Sequence, residues 1–111
     1  MSREFPEADW KVFRRLHSVA LARYFEAALA EVKREVEDES VPSQQRFDRL
    51  LKLLKNHDRE VARLFDDLRR STAFLQLFQI VAKGLLTDEE LAALTPATRE
   101  ALRSLLDPAR D

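Results

Sequence analysis

Two histidines, one tyrosine and a row of basic side chains hold most of the chemistry this 111-residue chain can offer. His17 falls on an apolar helical face with Trp10, Phe13, Leu21 and Tyr24, and no carboxylate sits three or four residues away to orient its ring. A histidine placed this way reads first as a core residue bonded to a carbonyl, and second as a small-ligand or acid–base site shared with Tyr24. His57 lies where a corner is expected, exposed or capping. Neither histidine belongs to a His-Glu-x-x-His or Glu-x-x-His pattern, so no metal ligand is assigned. With no cysteine in the chain, thiol catalysis, thiolate zinc and disulfides are excluded together. There is no glycine-rich phosphate loop and no nucleophile elbow. No catalytic residue and no cofactor follow from these residues.

Arg46, Arg49, Lys52 and Lys55 recur every third residue, and Arg59 and Arg63 extend the series. Residues 41–85 hold 9 basic and 5 acidic side chains, whereas the whole chain carries a net charge of −1. Such a row can contact phosphates, and a corner at Asn56–Asp58 invites comparison with a helix-turn-helix. Against that reading, Asp58 and Glu60 open the following segment, and Asp66 and Asp67 stand at helical pairing distance from Arg69 and Arg70. The ordinary reading is a solvated basic face, with nucleic-acid or phosphate binding as the alternative.

The elements that must position these residues are helical. One glycine and four prolines punctuate long segments whose apolar residues recur with helical spacing. The sequence predicts an all-α bundle in one domain over 1–111. Its three main helices fall at 8–37, 43–56 and 58–83, closed by short helices at 88–94 and 96–106. Loose ends are expected at 1–6 and 107–111. Pro6 and the acidic residues after it suit a helix start, and Ser43 is a candidate N-cap. Gly84 suits a left-handed stop, Thr87–Glu90 a capping box, and Thr95-Pro96 a final helix start. Phe47, Leu50, Leu51 and Leu54 form an apolar stripe expected to face inward.

Ala73–Ala82, AFLQLFQIVA, is the most apolar stretch. On one continuous helix at about 100° per residue, Phe74, Leu77, Phe78 and Val81 face well away from Val61, Leu64, Phe65 and Leu68. One helix then needs two covers, either the C-terminal helices or a second chain. The functional expectation is a non-enzymatic interaction or assembly module. It works as a homodimer or with another protein through Phe74, Leu77, Phe78 and Val81, with Gln76, Gln79 and Lys83 as the polar strip. The charged N-terminus does not resemble a signal peptide and no run reaches the roughly 20 apolar residues of a membrane span, so a cytoplasmic protein without membrane contact is expected.

Overall fold

The computed structural model describes residues 5–107, and no strand occurs among them. Five α-helices follow in order: α1 Glu7–Glu37, α2 Ser43–Phe65, α3 Ala73–Ala82, α4 Asp88–Leu91 and α5 Pro96–Leu106. A 3-10 turn, Arg70–Thr72, leads into α3. The protein is thus all-α, a small bundle with short C-terminal helices. Its described residues form two compact units, one comprising those up to Ala20 and from Asp67 onward, the other Leu21–Asp66. The long helix α1 contributes its first half to one unit and its second half to the other.

The expected break at Asn56–Asp58 does not occur. No glycine or proline stands there, and α2 runs through His57 without interruption. The chain leaves the helix ten residues later, where Asp66 turns extended and Asp67 takes φ 62°. Aspartate tolerates this left-handed conformation better than most residues. The pairing foreseen for Arg69 and Arg70 changes accordingly. Arg69 meets Asp67 at 2.6 Å in the loop, while Arg70 donates to the Phe5 carbonyl at 2.6 Å and to Glu7 at 2.8 Å. The rotation of apolar faces between Phe65 and Phe74 therefore belongs to two helices rather than one.

Local stop and start signals explain the other boundaries. Gly84 has φ 80°, its amide donates to Val81 and the Leu85 amide to Ile80, which is a Schellman stop for α3. Thr87 and Glu90 exchange both bonds of a capping box, although α4 ends at Leu91 rather than residue 94. At α2 the N-cap is Pro42, with Ser43 already helical. The acidic end of α1 is held to Glu37 by Arg46, which donates to the carbonyls of Val36 at 2.7 Å and Val41 at 2.9 Å. That guanidinium also offsets the negative end of the helix dipole. Of the expected loose ends, residues 1–4 and 108–111 lie outside the described residues. Phe5, by contrast, is buried and stacks edge-on with Phe13 at 6.2 Å.

The first unit buries Phe5, Phe13, Leu16, Ala73, Leu77, Ile80, Leu94 and Leu102, with α3 packed on α5. Within this apolar core Asp9 is fully enclosed. Its Oδ1 accepts from the Thr95 amide at 2.8 Å, and its Oδ2 from the hydroxyls of Thr95 at 2.8 Å and Thr98 at 2.6 Å. Thr95 is the N-cap of α5 but makes no side-chain cap bond, because its hydroxyl serves Asp9. A buried carboxylate is tolerated only when its lone pairs are met this fully. Asp9→Ala should lower the unfolding free energy by about 3 kcal/mol, since it strands one buried and two part-buried donors. Denaturant titration checks this, and a loss below about 1 kcal/mol would show that the pairing contributes little.

Candidate functional site

The second unit is a hairpin of the C-terminal half of α1 and all of α2, and it brings together residues that the sequence reading kept apart. Tyr24 is buried, with edge-on contacts to His57 at 5.5 Å and Phe65 at 5.9 Å between ring centroids. Its hydroxyl donates to Glu60 Oε1 at 2.8 Å and lies 2.7 Å from His57 Nδ1. A phenol has one proton. With that proton given to Glu60, His57 Nδ1 must be the donor toward the phenolic oxygen. The other ring nitrogen, Nε2, faces Glu31 Oε2 at 3.4 Å, which becomes an ion pair when the ring is protonated.

Tyr24, expected to share a site with His17, is joined to His57. His17 is buried in the first unit, edge-on to Phe13 at 6.0 Å. His57, expected at an exposed corner, is half-buried in mid-helix. Burial pushes the Tyr24 phenol well above the ordinary tyrosine range, and its bond to Glu60 and the negative charges of Glu60 and Glu31 push it further, while Arg63 opposes them. Held neutral, the phenol keeps its proton for the bond to Glu60. No group of three or more potential metal-ligating side chains occurs among the described residues.

The basic row does not form one free stripe. Arg46 caps α1, Arg49 approaches Glu35 at 3.9 Å, and Arg63 approaches Glu60 at 3.5 Å. Lys52, Lys55 and Arg59 are exposed. Because three-residue steps drift backward by about 60° on a helix, Arg46 and Lys55 point in opposite directions. The helix-turn-helix corner imagined at Asn56–Asp58 is absent.

On α3, Leu77 is fully enclosed and has no surface left for a second chain. Phe74, Phe78 and Val81 are partly covered, and Phe74 lies 6.4 Å from the Phe5 ring of the same unit. Gln76, assigned to the polar strip, is buried, whereas Leu75 is 60% exposed. The chain itself supplies much of the cover that this segment needs.

The hairpin carries an open apolar surface, while in the first unit Leu75, Leu105 and Leu106 are also exposed. Phe25, Leu29 and Val36 of α1 and Phe47, Leu51 and Leu54 of α2 are all between 44% and 65% exposed. The stripe Phe47, Leu51 and Leu54 therefore does not face inward as expected; only Leu50 is half-buried. Phe25, Leu29, Val32, Leu54 and Val61 line a groove of about 250 Å³ whose floor includes Ala28 and His57. A second depression toward the hairpin tip is lined by Val36, Phe47 and Leu50. The groove is shallow and almost wholly apolar, below the usual size of a small-molecule pocket.

Spacing explains the surface. Tyr24, Ala28, Glu31 and Glu35 advance by four, three and four residues and face α2. Phe25, Leu29, Val32 and Val36 advance by the same steps one residue later and face outward. On α2, Phe47, Leu51, Leu54, Asp58 and Val61 repeat this rhythm beside the inward Leu50, Leu53, His57, Glu60 and Leu64. Each helix carries two adjacent seams of period 3.5, the mark of a helix with two helical neighbours. Both seams are in the sequence.

No family model, curated protein or solved structure matches the chain. No described helix is long and apolar enough to cross a membrane.

Tyr24 is the chain's single tyrosine, so its ionisation can be followed by phenolate absorbance without ambiguity. In the folded protein it should titrate far above about 10, the value expected after unfolding. Because the folded state holds the proton more tightly, Tyr24 contributes stability in full below about pH 10 and loses it as pH rises further. Glu60→Gln should bring the ionisation back toward the ordinary range. An unperturbed titration in the folded wild-type protein would contradict the buried bond.

Proposed function

We propose that the chain is a non-enzymatic association module that takes apolar helices into the groove of its 21–66 hairpin. The carrying observation is the row of six large, half-exposed apolar side chains, Phe25, Leu29, Val36, Phe47, Leu51 and Leu54. Covering each remaining exposed half contributes roughly 1 kcal/mol, about 6 kcal/mol over the six side chains before the cost of association. The 3.5-residue rhythm of both rims suits a helix better than a strand or a small molecule. This reading keeps association as the function but moves its surface from the Phe74 face to the hairpin. A cysteine-free chain of this kind suits a reducing cytoplasm, which is part of the proposal.

A labelled peptide of residues 43–65 carries the same outward seam and serves as a probe. It should bind the whole chain saturably, and Leu29→Lys with Leu54→Lys should weaken binding at least about tenfold. Helicity and melting temperature should change little, because both side chains are already about half in water or more. Absence of saturable binding, or binding indifferent to the double substitution, would overturn the module reading.

A further inference from the structure

We infer that the occupant of the groove is a second copy of this chain, joined through a two-fold axis perpendicular to the helices to make an antiparallel four-helix bundle. This inference rests on the association reading above and adds the identity and register of the partner. Each outward seam has its own midpoint, between Ala30 and Glu31 on α1 and, taken over Phe47–Asp58 without Val61, between Lys52 and Leu53 on α2. Antiparallel self-pairing about those points sets Leu29 against Val32 and Leu51 against Leu54 of the other copy, so that the central layers are wholly apolar.

The flanking charges are self-complementary in that same register. Outside the α1 seam lie Glu26 and Lys33, one heptad apart; outside the α2 seam lie Asp48 and Lys55, also one heptad apart. All four are exposed. Pairing α1 with its copy brings Glu26 opposite Lys33 twice, and pairing α2 with its copy brings Asp48 opposite Lys55 twice. Each helix thus carries acid and base in the order that antiparallel self-association requires. Flanking charges of this kind set partner and orientation in helical bundles.

One axis must serve both helices, so the two midpoints must lie at the same height in the hairpin. Side-chain contacts across the hairpin give that height independently, to about a helical turn. Tyr24 meets Glu60 at 2.8 Å and Glu35 meets Arg49 at 3.9 Å. Interpolating between these pairs sets Ala30–Glu31 opposite Leu53–Leu54, within one residue, about 1.5 Å, of the α2 midpoint. Asp58 adds discrimination. At this register it meets Phe47 of the other copy at the outer layer, whereas a slide of one heptad would set it against Leu54 at the centre and bury its charge.

Sedimentation over a concentration range tests the inference with the full chain. The wild-type protein should dimerise. Glu26→Lys should weaken the dimer about tenfold, because two attractive pairs become repulsive ones. Adding Lys33→Glu should restore it to within about threefold, since the pairs are re-formed with exchanged signs. Asp48→Lys and its reversal by Lys55→Glu should behave alike on α2. A chain that stays monomeric at high concentration yet binds the 43–65 peptide would overturn the second-copy inference and leave the module reading standing. A dimer whose affinity is not rescued by the exchanged charges would overturn the antiparallel register. Failure of both dimerisation and peptide binding would remove the association reading itself.

Discussion

Two helices share one interface, and the 21–66 hairpin carries apolar residues for two. That mismatch governs the rest of the second unit. The inward seam is already committed, with Tyr24 and Glu31 of α1 meeting His57 and Glu60 of α2, so the outward seam cannot be buried by any adjustment inside the hairpin. Rotating either helix to hide Leu29 or Leu54 would break the Tyr24–Glu60 bond and expose Tyr24. The polar contacts at the inward seam therefore do more than stabilise. They lock the rotation of both helices and so fix which residues remain outside.

The first unit solves a different problem with a buried charge. Asp9 comes from the first turn of α1, while its three donors come from Thr95 and Thr98 at the start of α5. Apolar packing alone leaves a short helix such as α5 free to slide along its neighbours, whereas three directed bonds to one carboxylate do not. Around this pin, α3 packs on α5 and the Phe5–Phe13 contact closes the N-terminal side. Gly84 and the Thr87–Glu90 box then turn the chain sharply enough for α4 and α5 to return. The Phe74 segment is consequently served largely by its own chain.

Much of this was legible in the residues. Pro6, Gly84, Thr87–Glu90 and Thr95-Pro96 mark helix ends through their own backbone chemistry, which does not depend on distant partners. The α2–α3 break was misplaced because Asn56 and Asp58 have capping propensity, yet propensity yields where a leucine seam and the Tyr24 cluster continue across the position. The real break needs Asp67 in a left-handed conformation, a choice that nothing in its immediate sequence demands. The Tyr24–His57 bond spans 33 positions and depends on how the hairpin folds, so local spacing could not reveal it. The outward seam is a different case: its four-three-four rhythm is present in the sequence, but each helix carries it beside a second seam.

The separation of the two seams also bears on why the inward one is polar at Glu31, Glu35, His57 and Glu60. An entirely apolar inward seam would make the two faces of the hairpin chemically alike, and each helix could roll to bury either seam against its neighbour. Glutamates and a histidine on one side, with Glu60 and His57 bound to a single tyrosine, make the faces unlike. Burying the outward seam inside the hairpin would remove the hydroxyl's two partners and leave them without a matching donor or acceptor, a loss on the scale of a kilocalorie or more for each bond. Specificity of rotation is thus obtained from a few directed contacts, and leucine and phenylalanine are left to the face where non-directional attraction suffices. A hairpin built this way keeps an apolar surface open beside an inward seam that is already committed.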